Sequence, residues 1–332
     1  MWGEHMARTT MQAPASVPDA GLLTTLADRA LIALAGRDTR DFLQRILTQD
    51  MEKVIPGRAV PAALLTPQGK LQHLFLLTAV ADGRILLETG REEVGALLRL
   101  LTLYRLRADV AFTVLEQGTV FAADPHTLVR AGLDDETRSD ILVVEDARAP
   151  GRLMRCYALA GGPELPSGPI RPGAAPKAYI RLRAEEGIAE GPIELPPGRL
   201  FALEANLDCI DAVSFSKGCY VGQEVTTRSY RRGRIKKRLL PFLLTGSEDS
   251  PAAGSRLERV EDGLLVGEVI APGRHGVGWA LCRIEALGGP PPVGQLACKA
   301  DGVAVTLHLP PRLRPVLEEE SRRRNRSGEE RG

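Results

Sequence analysis

The chain has 332 residues, 44% of them hydrophobic and 26% charged, with a net charge of +1. That length exceeds one ordinary core and predicts two or three domains, each able to bury apolar side chains. The near-neutral balance argues against a nucleic-acid partner or an anionic membrane surface at the level of the whole chain, and no apolar run is long enough to span a bilayer.

Five cysteines, Cys156, Cys209, Cys219, Cys282 and Cys298, are too few and too widely spaced for a disulfide scaffold, and no CxxC pair offers a zinc knuckle or a thioredoxin-type motif. Five reduced thiols are expected. The first ten residues lack a basic segment followed by an apolar run, so the expected location is cytoplasmic.

Residues 1–24 read as a disordered arm, with Pro14 and Pro18 among small polar residues. Ala30 to Ala35 is a buried strand. Gly36 to Asp50 has helical spacing, with Phe42, Leu43, Ile46 and Leu47 on one face. Val60 to Thr66 is a strand closed by the turn Thr66-Pro67-Gln68-Gly69. Leu71 to Val80 and Ile85 to Glu88 follow as strands joined at Asp82-Gly83. Arg91 to Tyr104 is an amphipathic helix. Ala108 to Leu115 and Thr119 to Ala123 read as a strand pair around Gln117-Gly118. Arg148 to Arg152 and Gly161 to Pro176 are loops. Lys177 to Glu186 is a helix ending at Gly187, and a second helix is expected from Pro196 to Leu207. Beyond Leu239 five short strands separated by glycine turns predict a small barrel or sandwich over residues 239–312. Residues 313–332, nearly all charged, read as a disordered tail. The class is therefore α+β with a C-terminal β domain.

Chemistry concentrates in Lys217-Gly218-Cys219-Tyr220-Val221-Gly222-Gln223-Glu224. Gly218 and Gly222 allow a sharp turn or a close approach to a ligand. Lys217 and a helix starting at Gly222 would both favour a thiolate at Cys219. Two readings stand: a reactive or metal-touching thiol, and a small thiol filling a tight turn. One cysteine cannot hold a cluster, which usually takes four ligands, so no metal site is expected within the chain itself.

The segment from Glu204-Ala205-Asn206-Leu207-Asp208 through the Lys217–Glu224 string to Arg228 and Arg232-Gly233 closely resembles the YgfZ-type folate-binding proteins, relatives of the T-protein (aminomethyltransferase) of the glycine cleavage system. The resemblance extends to Gly36–Gly69 and Arg183–Leu195 and spans roughly residues 25–312. It implies a T-protein-like ring of three subdomains around a folate pocket. Two of them would lie in residues 25–238, and a C-terminal small β-barrel domain would be the third. It implies a tetrahydrofolate-binding factor that supports maturation or repair of iron–sulfur proteins, bacterial members being linked to the cluster of a tRNA-modifying radical enzyme. The implied partners are a reduced folate and iron–sulfur client proteins or assembly machinery.

A pterin presents paired donors that one carboxylate can accept. The resemblance assigns that carboxylate to Glu185, in Arg183-Ala184-Glu185-Glu186-Gly187, with Glu204 beside Asn206 as a second candidate. Asn206, Tyr220, Gln223, Glu224 and Arg228 complete the expected folate contacts, and Cys219 with Lys217 forms the expected chemical pair. The cations Arg228, Arg231, Arg232, Arg234, Lys236, Lys237 and Arg238 could meet the folate's anionic tail, defend a strand edge, or, with Tyr230 among them, contact RNA. One departure stands out. Aminomethyltransferases carry an Asp just after the glycine turn, whereas Gly69-Lys70-Leu71-Gln72-His73-Leu74 has no carboxylate. A folate-dependent aminomethyl or other C1 transferase is therefore the alternative, not the first expectation.

Overall fold

The computed structural model describes residues 21–133, 141–159, 175–233, 235–244, 249–287 and 294–320. The N-terminal strands are β1 (Leu23–Thr25), β2 (Arg29–Ala35), β3 (Arg58–Leu65), β4 (Leu71–Ala79), β5 (Ile85–Gly90), β6 (Ala111–Val114), β7 (Thr119–Ala123), β8 (Ile141–Asp146) and β9 (Met154–Ala158). They form one sheet in the order β1-β7-β9-β8-β3-β4-β5-β2-β6, with β3–β8 parallel and the other neighbours antiparallel.

The central strands are apolar almost throughout because both faces are covered. In β3 the residues alternate: Ala59, Ala63 and Leu65 face one core, Val60, Ala62 and Leu64 the other. Helices α1 (Thr39–Ile46) and α2 (Val94–Arg105) close the second core with Phe42, Leu43, Ile46, Leu97 and Leu101. The first core is shared by α4 (Ala175–Glu186), the segment 195–213 and Trp279 of the C-terminal domain; the short α3 (Pro125–Arg130) covers the β7–β9 end, and α5 (Gly191–Glu194) follows α4. One longer helix, α6 (Gln223–Arg232), precedes the C-terminal domain.

That domain is a closed barrel of β10 (Lys237–Leu244), β11 (Arg256–Arg259), β12 (Leu265–Arg274), β13 (Val277–Arg283), β14 (Gln295–Ala300) and β15 (Val303–His308), in the order β10-β13-β12-β11-β14-β15. β11 and the pair β8–β9 were not legible as strands in the sequence.

Four expectations need correction. Leu22 and Leu23 are buried and β1 begins at Leu23, so the arm does not reach residue 24. β6 and β7 do not pair with each other: β6 lies on β2, and β7 on β1 and β9. Pro196 to Leu207 is not a helix but a run of turns. Gly198 (φ 73°) and Asn206 (φ 60°) are left-handed, and the segment bonds outward, Leu71 N–H to Leu200 O at 2.8 Å and Leu239 N–H to Glu204 O at 2.8 Å. Finally, 314–320 is helical rather than disordered, with Leu317 buried and Glu320 bonded to Arg238 at 2.7 Å.

Candidate functional site

The Cys219 stretch has no helix or strand of its own; its shape comes from a clasp with residues 47–53. Ser214 N–H donates to Thr48 O (2.9 Å), Thr48 Oγ1 to Ala212 O (2.6 Å) and Gln49 Nε2 to Asp211 O (2.5 Å). Lys53 pairs with Asp211 at 2.8 Å on the outside. Lys217 completes the clasp: its ammonium donates to Leu47 O at 2.8 Å and Gln49 O at 2.7 Å. It also lies 5.4 Å from the Tyr220 ring centroid. Burial lowers the Lys217 ammonium to about 8. Lys217 was expected to supply positive charge to the thiol; its donors are instead spent on main-chain carbonyls.

Tyr220 is buried, its phenol pushed up to about 12 by burial and its hydroxyl without a hydrogen-bond partner. Between these two buried side chains Gly218 and Cys219 are exposed. Cys219 is the exposed thiol of the five; Cys156, Cys282 and Cys298 are buried and Cys209 is partly covered beside Asp208. Gly222 (φ 80°) then starts α6 against the Thr66–Gly69 turn.

A cleft of ≈ 210 Å³ opens beside α6, lined by Gly69, Phe201, Ala202, Leu203, Glu204, Val225, Thr226, Ser229, Ile235 and Lys236. Glu204 is placed there by the turns before β10, where Asn206 Nδ2 donates to Leu239 O (2.6 Å) and Arg238 Nη1 to Leu203 O (2.7 Å). One Glu204 oxygen accepts the Phe201 N–H at 3.1 Å. Asn206 is thus a buried bracket holding the turn.

The remaining expected residues lie elsewhere. Gln223, Glu224 and Arg228 line an outer groove of α6, where Arg228 and Glu224 form an exposed i,i+4 pair at 2.5 Å. Glu185 is on α4, partly exposed and paired with Arg152 (3.2 Å) and Arg181 (3.9 Å). It does not line the cleft. His73 sits on β4, buried and bonded to Glu93 at 2.9 Å, a structural role. Tyr230 stacks on Phe215, ring centroids 3.8 Å apart.

The sequence reading missed a buried ion network. Arg29 meets Glu88 at 2.8 Å; Arg155 meets Glu88 (3.2 Å), Glu190 (2.7 Å) and the Tyr179 hydroxyl (2.7 Å). Arg148 bridges Asp146 (2.7 Å) and Glu190 (2.6 Å), and Arg183 reaches Glu194 (2.8 Å). Burial would raise the Glu190 carboxyl, but Arg148, Arg183 and Arg155 hold it well below the usual range. The signal that could have found it is the lone charged letter in apolar strands: Arg29, Glu88 and Arg155.

Three comparisons bear on this geometry. Residues 236–315 match the family model for the CAF17 C-terminal beta-barrel domain. The fold is that of the glycine cleavage system aminomethyltransferase T from Bartonella henselae, with a TM-score of 0.68 at 18% identity over 89% of this chain and 87% of that one. The chain is 32% identical over 282 residues to the mouse iron-sulfur cluster assembly factor IBA57, mitochondrial, covering 79% of this chain and 77% of the relative. The chain belongs to the IBA57 family. The human member is again 32% identical over 282 residues, and that of Coccidioides immitis is 30% identical over 325 residues, 85% of this chain and 76% of that one. These IBA57 relatives are named mitochondrial, which overturns the expectation of a cytoplasmic location. No helix among the described residues is long and apolar enough to cross a membrane.

Proposed function

We propose that this IBA57-family chain supports maturation of iron–sulfur proteins, with Cys219 as its point of contact with a cluster or a client thiol and a reduced folate as its bound ligand. The observation that carries the reading is Cys219 itself: an exposed thiol beside the buried Tyr220 and two residues from the clamped Lys217, in a chain whose relatives are named iron-sulfur cluster assembly factors. Among the described residues no three His, Cys, Asp or Glu side chains stand together to hold a metal. Cluster ligands beyond Cys219 therefore come from a partner, an assembly protein or client.

What supports the folate is the set of groups lining the cleft beside α6. Glu204 offers the carboxylate for the paired ring donors, Phe201 an aromatic face and Lys236 a cation for the anionic tail. Glu185, which the resemblance favoured, is engaged with Arg152 and Arg181. A bound folate would supply one-carbon or redox chemistry; the chain's own residues bind and orient it. A transferase role is disfavoured because residues 69–74 carry no carboxylate and His73 is committed to Glu93. The YgfZ-type link to a tRNA-modifying enzyme's cluster is one client within this reading.

Calorimetric titration with tetrahydrofolate tests the folate part. Glu204→Gln should weaken binding by about 2–3 kcal/mol through loss of a charge-assisted pair, and Glu185→Gln should not. No binding by the wild type removes the folate and leaves the Cys219 reading standing; the reverse order of the two variants returns the pterin to Glu185.

A further inference from the structure

Beside the Cys219 stretch the surface carries a charge that the whole chain, at +1, lacks. On the outer groove of α6, ≈ 520 Å³ and open, Glu224 and Arg228 neutralise each other, but Arg231 and Arg232 are exposed and have no ion-pair partner among the described residues. Lys236, exposed and equally unpaired, lines the cleft on the other side of α6 and is not part of this face. A further cation, Lys237, follows closely in the chain, at the start of the barrel. Lys237 and Arg283 stand directly opposite each other in the β10–β13 register. Like charges in that position cost stability. No carboxylate pairs with either of them among the described residues to offset the cost.

We propose that this basic face docks an acidic surface of a partner protein, the partner that brings further cluster ligands or the client thiol to Cys219. The proposal rests on the reading of Cys219 above. The distances suit it: a ten-residue helix is about 15 Å long, so Cys219 and the last turn of α6 fit within one ordinary protein interface. A cluster held by thiolates is anionic, and uncompensated cations beside it favour its approach and steer the encounter. RNA is the less suitable occupant, because one face of Tyr230, the aromatic ring among these cations, is stacked on Phe215 and the chain as a whole is only +1.

The test uses the full chain and two labelled probes, poly-L-glutamate and poly-uridine, read by fluorescence anisotropy across a salt series. Wild type should bind polyglutamate more tightly than poly-uridine, more weakly as salt rises. Arg231→Glu with Arg232→Glu should weaken polyglutamate by about tenfold or more, with the melting temperature and the alkylation rate of Cys219 unchanged. Lys237→Gln with Arg283→Gln should also weaken it while raising the melting temperature, a combination that a merely structural role does not give. In cells lacking the chain, the double Glu variant should fail to restore iron–sulfur enzyme activity, and Arg231→Lys with Arg232→Lys, which keeps the charge, should restore it. Tighter binding of poly-uridine, no binding of polyglutamate, or full cellular activity of the double Glu variant overturns the docking surface. Cys219→Ala should keep polyglutamate binding, so a failure of the thiol reading is seen separately, in that variant's own cellular activity.

Discussion

Gly69 and Gly222, far apart in the chain, meet so closely that a Cβ on Gly222 would lie 3.2 Å from the Gly69 Cα and 2.5 Å from the Thr66 carbonyl oxygen. The turn after β3 and the start of α6 thus pack backbone against backbone. Both glycines have positive φ, 79° and 80°, so each needs its missing side chain twice over.

Gly222→Ala should therefore cost about 1–3 kcal/mol from the collision and the left-handed backbone together. Gly218, on the other side of Cys219, has nothing within 4 Å of an added Cβ. Gly218→Ala should change stability by less than about 0.5 kcal/mol. Urea unfolding of the two variants checks the contrast; equal effects would mean that the Gly69–Gly222 approach does not form.

Lys217 is expected to behave as a clamp. Lys217→Met leaves the Leu47 and Gln49 carbonyls without their donor and should cost about 1–3 kcal/mol. Alkylation of Cys219 under native conditions should not slow. A variant with unchanged melting temperature and slower alkylation would restore Lys217 as an activator of the thiol.

The buried network predicts acid sensitivity. Against the burial that would raise it, Arg148, Arg183 and Arg155 hold Glu190 below its ordinary 4.5. A carboxyl depressed in the folded state stabilises the fold above its unfolded value and loses that contribution as pH falls through the folded one. Wild-type stability should thus decline below pH 4.5. Glu190→Gln should be less stable by about 3–5 kcal/mol at neutral pH, because it strands buried guanidinium groups. It should also show a shallower decline in acid. Denaturant midpoints measured from pH 7 to 3 report both; parallel curves would contradict the assignment.

Much of the fold was legible because the N-terminal sheet is apolar on both faces: β2, β3, β4 and β5 read as nearly continuous hydrophobic runs, and Phe42, Leu43 and Ile46 of α1 kept helical spacing. The run from Pro196 to Leu207 misled because its apolar residues are spaced like a helix, while Gly198 and Asn206 turn the chain and its carbonyls bond across to β10. The site was legible as a motif but not as a geometry. Main-chain carbonyls carry no letter, so nothing in the sequence could show that Lys217 turns toward Leu47 and Gln49. Arg29, Glu88, Arg155 and Glu190 are scattered over the chain, and only folding brings them into one network.

In a reconstituted glycine-cleavage assay the chain should release no ammonia at rates near a true T-protein, since no carboxylate follows Gly69 and His73 is bonded to Glu93. Release at such rates would make the transferase reading the better one.

The measurement that bears most directly on the account is restoration of iron–sulfur enzyme activity by Cys219→Ala in cells lacking the chain. The sulfur is exposed, so its removal opens no core cavity and the variant should melt with the wild type. A stably folded Cys219→Ala protein should restore little or no activity; full restoration by that protein would return Cys219 to an incidental surface thiol.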